Sequence, residues 1–358
     1  MVSQSRSPMS TEPFARLEVV CHFCIYKGRS KTGSVASLVY VGLEEGLVYI
    51  APFVAQCFFE HSISEREGIL EWSELDDFIA HQQTEICLLL APKELVRHCH
   101  RSGDILGVSR IHQKVDVSSG WEHTIRQLSN RENKRRVQLI GQGFDFDVSH
   151  DEGDFLVFYR SMHVPTMQTR YGCHARSVPE EKAYLDLFKR GVLFRISLKG
   201  EWVAGSVSQI DGATRTLNAR LIGVKNGATI YRSNGAQNYV YHSILEWASG
   251  QPSIDCVDFQ GCEPFLSKGT FQYKKRFGAM AVIPENAFGA WRLLIRAKME
   301  SSSVRQFLIN NPLIGVDGAG HLQAQYFFDS QHKARLDIPC ASKGIASEIL
   351  HNLDQWHV

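Results

Sequence analysis

Pro264–Gly278, read as P-F-L-S-K-G-T-F-Q-Y-K-K-R-F-G, is the stretch on which the reading of this chain turns. Lys268, Lys274, Lys275 and Arg276 stand among Phe265, Phe271, Tyr273 and Phe277, with Gly269 and Gly278 as hinges. Four cations in fifteen residues do not suit a neutral core strand. They suit a strand edge that meets an anionic or carbonyl-bearing ligand, and equally a solvated edge strand guarded by lysine. On a strand, Lys274 and Arg276 share one face and Lys275 takes the other, so the four cations cannot all meet one ligand.

Working outward, Ile254–Phe259 reads as a strand. Alternation puts Asp255 and Asp258 on different faces, which excludes a paired-carboxylate site. Asp258 lies near the strand end, where catalytic side chains often emerge. Upstream, Gly223–Gly235 (G-V-K-N-G-A-T-I-Y-R-S-N-G) combines three glycines with Lys225, Tyr231, Arg232 and Asn234, then opens a helix at Asn238–Ser249. A helix start behind Gly and Asn is a natural oxyanion or phosphate site, although a hairpin and a capped helix explain the same residues. Further upstream, Asp154–Met162 is helical and a Pro165-bounded loop ends in Arg170-Tyr171-Gly172, two side chains that can project into a cleft. Gln138–Gly143 (Q-L-I-G-Q-G) fits a backbone loop for a pyrophosphate only weakly, because a strand rather than a helix follows it.

Around these segments the chain alternates helix and strand. Arg16–Cys24, Val35–Val41, Leu47–Pro52 and Ile86–Leu90 read as strands, with helices over Glu71–His81 and Pro92–His100. Ser118–Arg136 reads as a bridging helix capped by Ser118 or Ser119, followed by strands at Gln138–Ile140 and Phe144–Val148. Pro179–Lys189 is helical, and Val192–Leu198, Trp202–Gln209 and Thr216–Val224 are strands. Helices are expected over Trp291–Met299, Ser302–Asn310 and Gly344–Trp356. The fold class is therefore α/β (α+β). The expected blocks are a mobile tail (1–13), a first α/β subdomain (14–117), a second (118–285) and a helical C-terminal extension (286–358).

Bulk composition narrows the function. At 358 residues, 44% hydrophobic and 22% charged, the chain can bury a full core without staples. A net charge of +1 gives no global field toward nucleic acid or membrane, so anion binding must be local. Nine cysteines, an odd and scattered set, argue against a disulfide framework and fit a reducing cytoplasm. Met1–Pro13 reads as neither signal peptide nor anchor, and no apolar run is long enough to span a bilayer. Cys21-x-x-Cys24 and His98-Cys99-His100 read as buried thiols rather than metal ligands. No Gly-x-Ser-x-Gly elbow and no Walker loop is present, so Ser–His–Asp and nucleotide-hydrolysing chemistry have no support.

Taken together, F-Y-x-x-M…P…R-Y-G, then L-I-G-V…Y-R-S-N-G-A, then D-F-Q-G-C-E-P-F-L-S-K-G-T-F-Q-Y-K-K-R-F-G resemble the GNAT-superfamily acyltransferases of the FemAB/BioF2-like type over about Gln127–Ile283. The resemblance implies tandem GNAT-like subdomains with mixed twisted sheets flanked by helices. It also implies transfer of an acyl or aminoacyl group to an amine. In the Fem branch the lysine of an aromatic-Lys-x-Gly-Phe-Gly motif polarises the donor carbonyl, and Lys274 inherits that role. Arg276 stands where that branch has glycine, which moves the reading away from tRNA and toward the broader group.

The expected function is an N-acyltransferase moving an acyl group from a thioester, acyl-CoA or acyl carrier protein, to a small-molecule or peptide amine. Lys274 is the electrostatic catalyst, and Asp258 or Tyr231 takes the proton. Arg170, Tyr171, Arg232, Asn234, Lys268, Tyr273 and Arg276 are expected to bind donor or acceptor. No metal and no tightly bound cofactor is expected. Two alternatives stay open: aminoacyl-tRNA as donor, with Arg131–Arg136 and Lys274–Arg276 forming one basic stripe, and a non-catalytic module for an anionic ligand.

Overall fold

The computed structural model describes residues 20–172 and 177–356, apart from the side chain of Tyr171. The chain opens with β1 (Cys21–Ser30), β2 (Val35–Gly42), α1 (Glu44–Phe58), β3 (Phe59–Leu70), α2 (Leu75–His81), β4 (Ile86–Pro92), α3 (Lys93–Cys99) and β5 (Ile105–Val108). There follow β6 (Ile111–Asp116), α4 (Trp121–Gln127), α5 (Asn130–Gly141), β7 (Phe144–Ser149) and α6 (Glu152–Phe158), which runs through a π-helical turn (Tyr159–His163) into α7 (Val164–Tyr171). Next come α8 (Glu180–Lys182), β8 (Gly191–Leu198), β9 (Glu201–Asp211), β10 (Thr216–Val224), α9 (Thr229–Ser233), α10 (Ala236–Ser249), β11 (Cys256–Cys262), α11 (Gly269–Lys275) and β12 (Met280–Val282). The chain closes with α12 (Ala287–Ala290), β13 (Trp291–Ala297), α13 (Ser302–Asn310), β14 (Leu313–Val316), β15 (Leu322–Phe328) and β16 (Ile345–Asn352).

These elements build a mixed α/β fold whose sheets are flanked by helices, the expected class. The chain falls into two compact units. Of the described residues, one comprises those up to Ile111, Cys262–Gly269 and those from Ile283 on; the other comprises those within His112–Gly261 and Thr270–Val282. The first unit holds the sheet β3-β1-β2-β4-β13-β5 and the small sheet β14-β15-β16. Its core strand β4 runs parallel to β2 and antiparallel to β13, and Ile86–Ala91 are all buried. The second unit holds the sheet β12-β6-β11-β10-β9-β8-β7, and α10 packs over β8, β9 and β10.

Several expectations give way to the structure. Pro264–Gly278 is not an edge strand: after an irregular start it becomes α11, which puts Phe271 and Lys274, three residues apart, on the buried side. Leu47–Pro52 lies inside α1, because Gly46, Ile50, Ala51, Val54, Ala55 and Phe58 bury at helical spacing. Gln138–Ile140 ends α5, so the glycines after it stop a helix rather than start one, and backbone N–H groups are not gathered there. The bridging helix breaks in two, with Gly120 opening α4 and the Ser129 hydroxyl capping α5 through the Glu132 N–H. The 286–358 stretch is not a helical extension. Trp291–Ala297 is β13, bonded between β4 and β5, and most of Gly344–Trp356 is β16. A short apolar run such as Leu293-Leu294-Ile295 fits helix and strand equally, and here the partners on either side decide.

Candidate active site

The second unit opens between β10 and β11. The two strands run parallel and pair only at Thr216 with Cys256, Leu217 with Val257 and Asn218 with Asp258. Beyond that, β10 continues to Val224 and β11 to Cys262 without pairing to each other. A bulge at Arg220, which is exposed, bends β10 at the parting point. The chain passes from the carboxyl end of β10 to the start of β11 through a crossover helix, whose N-terminus lies toward the carboxyl end of β10. Here that helix is α10.

The parting point carries a buried polar cluster. Asp258, only 4% exposed, accepts from His112 Nδ1–H at 2.8 Å through Oδ2. Its Oδ1 accepts from the Gln260 backbone N–H at 2.6 Å. Gln260 sits in the left-handed region at φ 65°, which a side chain other than glycine adopts only under constraint. That twist serves both neighbours: the Gln260 N–H meets Asp258 while the Gln260 carbonyl receives the Lys274 ammonium at 2.8 Å. The Gln260 amide also donates to Asn218 Oδ1 at 3.1 Å, spanning the last paired rung. Lys274, 4% exposed, thus reaches the end of β11 from α11. Its neighbour Phe271 is held by Gln113, whose Nε2–H donates to the Phe271 carbonyl at 3.1 Å.

This arrangement can do two things. His112 with Nδ1–H committed to Asp258 keeps the lone pair on Nε2, so the pair can accept and return a proton there. Lys274 places a fixed positive charge near the same strand end, where negative charge can develop on a carbonyl oxygen. Lys274 and Asp258 thus both bond to Gln260 at the end of β11. His112 escaped the sequence reading, because it lies about 150 residues away along the chain and carries no motif. Only its place on β6, two strands from β10, reveals it.

Other expected site residues lie elsewhere. Tyr231 is on α9, past the far end of β10, and its hydroxyl bonds Glu201 Oε1 at 3.4 Å. Glu201 begins β9, whereas Gln209, near its other end, is the residue that faces Asn218. Eight residues of strand separate them, roughly 26 Å at about 3.3 Å per residue. The two residues expected as alternative proton acceptors, Tyr231 and Asp258, therefore lie apart, and only Asp258 stands beside Lys274 and Gln260. Arg232 and Asn234 occupy the same far end. The Asn234 carbonyl accepts from Arg135 Nη2 at 2.8 Å, and its Oδ1 accepts from the Ala236 N–H at the start of α10. Arg135, Lys199, Ser233 and Asn234 line an open cleft of about 530 Å³ there. Arg170 is exposed on α7, and the side chain of Tyr171 lies outside the described residues.

Lys268 belongs to the first unit, ion-paired to Glu263 at 2.9 Å and 4.5 Å above the Phe53 ring. Tyr273 and Arg276 turn toward α10 and α5: the Tyr273 hydroxyl bonds Asn238 at 3.0 Å and Arg276 lies 3.8 Å from Glu132. No single basic stripe forms, since Lys274 is buried and Arg136 pairs with Glu246 at 3.0 Å. The outer rim of β10 beyond the bulge is also in use. His163 Nδ1–H donates to the Ile222 carbonyl, and the Thr166 hydroxyl takes the Val224 N–H. Gly223 permits this, because a Cβ would lie 2.5 Å from the Met162 carbonyl carbon. Burial pushes the His163 pKa below its ordinary value and keeps the ring neutral.

Among the described residues no cluster of side chains has the makings of a metal site, the eight cysteines are free thiols, and no helix is long and apolar enough to cross a membrane.

No family model and no curated protein matches the sequence. Solved structures similar to this chain include L-PGS from Bacillus licheniformis, at 10% identity over 76% of this chain and 84% of that one, with a TM-score of 0.38. FemX is similar at 9% identity over 76% and 87%, TM-score 0.41. A GCN5-related N-acetyltransferase-like protein from Streptococcus suis 89/1591 is similar at 10% identity over 78% and 84%, TM-score 0.32. These are distant likenesses.

Proposed function

We propose that this chain is a group-transfer enzyme of the acyltransferase class. Its particular reaction is N-acylation, which moves an acyl group from a thioester donor to an amine. The observation that carries the reading is the buried Lys274 ammonium set beside the His112–Asp258 pair at the point where β10 and β11 part. The resemblance of Tyr273-Lys274-Lys275-Arg276-Phe277-Gly278 to the Fem-branch motif supports the same role for Lys274.

In this scheme a neutral amine attacks the thioester carbonyl. Negative charge gathers on the carbonyl oxygen, and Lys274 stabilises it. His112 Nε2 takes the proton the amine loses, while Asp258 steadies the resulting imidazolium. The C–S bond breaks, the amide forms, and the thiolate leaves to be protonated. One well-placed cation or donor at the developing oxyanion contributes about 3 kcal/mol, and a positioned base about 10²–10⁴ in rate. A long donor fits the spacing, with its acyl carbon at Asp258 and Lys274. Its anionic end then lies near Arg232, Asn234 and the start of α10. Because His163 and Thr166 hold the β10 rim at Ile222–Val224, the donor meets β10 at Asn218–Arg220 rather than pairing along its whole length.

The test is a thermal-shift panel with coenzyme A, acetyl-CoA, a long-chain acyl-CoA and a charged-tRNA mimic at two salt concentrations, followed by an amine screen. A donor at 100 times its Kd adds about 2.7 kcal/mol of stability. An acyl-CoA shift followed by turnover that drops about 10²-fold or more in Lys274→Ala is the expected result. Full turnover in a folded Lys274→Ala variant would overturn the assignment, and a salt-sensitive shift with the tRNA mimic alone would change the donor class.

A further inference from the structure

The residue before Lys274 is tied into a second buried network that the chemistry above does not use. Glu132 on α5 is 3% exposed, an unusual place for a carboxylate. The Asn238 amide on α10 donates to Glu132 Oε2 at 3.0 Å and to the Tyr273 hydroxyl at 3.0 Å. Arg276 approaches the other Glu132 oxygen at 3.8 Å, and His242, one turn along from Asn238, lies 3.8 Å from Oε2. The amide orientation is fixed by chemistry, since only the NH₂ side can face a carboxylate. This choice leaves Asn238 Oδ1 buried without a hydrogen-bond partner, and the two buried His242 ring nitrogens make no hydrogen bond either. A buried polar group left unpaired is a standing cost. A core built only for stability would place apolar side chains there.

The geometry of α11 gives that cost a use. The helix spans only Gly269–Lys275, too short to hold its own orientation in water. Its direction must come from what its side chains grip. Phe271 is locked in the core, which fixes the position of the helix. Rotation about the helix axis is fixed by a second grip, and Tyr273 supplies it. Successive side chains lie about 100° apart around a helix, so holding Tyr273 against Asn238 sets where Lys274 points. Burial pushes the Tyr273 pKa well up, so the hydroxyl keeps its proton and the contact persists across the working pH range.

We propose that Asn238 is a positioning residue for Lys274: held by Glu132, it clamps the Tyr273 hydroxyl and thereby aims the Lys274 ammonium at the Gln260 carbonyl. The proposal rests on the reading of Lys274 as the working cation, but its geometric part stands apart from any turnover. Because Asn238 lies in the first turn of α10, the clamp also ties α11 to the helix start near which the anionic end of the donor is placed.

The experiment uses the full chain labelled with ¹⁵N-lysine, with the Lys274 ammonium signal assigned by its loss in Lys274→Arg. Folding is checked by thermal midpoint. Asn238→Ala, Asn238→Asp and Tyr273→Phe are each expected to displace that signal by more than its linewidth. The exchange variant Glu132→Gln/Asn238→Asp reverses donor and acceptor. The amide introduced on α5 can then donate to the carboxylate introduced on α10, and the Tyr273 hydroxyl can donate to that carboxylate as well. The wild-type signal should return. A lost structural contact alone would lower the midpoint without this rescue. Folded Asn238→Ala or Tyr273→Phe protein with an unmoved Lys274 signal overturns the proposal, as does an exchange variant whose signal stays displaced. If the signal moves and recovers as described while Lys274→Ala keeps full turnover, the acyltransfer reading falls and the clamp remains.

Discussion

β4 and β11 hold the same kind of place in their two sheets. Each is an inner strand: β4 between β2 and β13, β11 between β6 and β10. Both bury consecutive residues on both faces. In β4 the buried run is Ile86-Cys87-Leu88-Leu89-Leu90-Ala91, apolar throughout. In β11 it is Val257-Asp258-Phe259, with a carboxylate where β4 has leucine. A buried carboxylate costs stability unless it is paired and fully hydrogen-bonded, and Asp258 is served by His112 and by the Gln260 N–H. The same position in two comparable strands is thus spent on packing in one unit and on polarity in the other. That polarity is what the proposed acyl transfer draws on.

The largest effect that separates the strands is on turnover. Asp258→Asn keeps the shape but removes the charge that holds the His112 tautomer and stabilises its protonated form. Turnover with the donor selected by the binding panel is expected to fall about 10²–10⁴-fold, with the folded state kept. If Asp258→Asn works as well as the wild type, β11 is a structural strand like β4 and the contrast disappears.

The complementary change in β4 should act on stability. Leu88 is fully buried, and Leu88→Ala leaves a cavity in a sheet interior. Urea unfolding should show a loss of about 2–5 kcal/mol. A smaller loss would mean that this interior relaxes around the gap and that packing is less fixed than the continuous burial implies.

A third change sharpens the contrast along pH. Burial first, and Arg136 second, push the His242 pKa from 6.5 down to about 3. A group whose protonation is suppressed in the folded state lets the unfolded chain bind the extra proton. Stability from this source is therefore whole above about pH 6.5 and is lost as pH falls from there toward 3. Replacing the ring in His242→Phe, which keeps an aromatic beside Phe277, should make the acid limb shallower by at most one proton, about 1.4 kcal/mol per pH unit. Urea midpoints at pH 7, 6, 5 and 4 measure it. An unchanged slope would place the acid sensitivity in other groups.

The sequence made the strand framework of the second unit legible where pattern and turn chemistry agreed: Val192–Leu198, Trp202–Gln209 and Thr216–Val224 fall within β8, β9 and β10. It failed where a segment's state depends on distant partners. Trp291–Ala297 becomes a strand because β4 and β5, nearly 200 residues earlier, flank it. The site divided in the same way. Lys274 and Asp258 stood out because a cation and an acid in apolar surroundings are visible in one dimension. His112 did not, since nothing local distinguishes it from the other histidines of the chain. Tyr231 misled for the opposite reason: closeness in sequence to glycines and cations suggested a shared site, whereas strand register carries it to the far end of β10.

That separation gives the smallest predicted effect. In Tyr231→Phe only a hydroxyl is lost, and its partner among the described residues, Glu201, keeps its ion pair with Lys225 at 2.8 Å. The contact lies on an exposed surface, where such groups contribute little. Stability should move by less than about 0.5 kcal/mol. The pH profile of turnover is the sharper readout. If Tyr231 were the base, removing its hydroxyl would abolish the rise of rate with pH that its deprotonation brings, or cost orders of magnitude. With His112 and Asp258 as the pair, both rate and profile should stay within about twofold of the wild type. A large loss in Tyr231→Phe, with Asp258→Asn near normal, would invert the assignment and move the chemistry to the end of β10 where α9 and α10 meet.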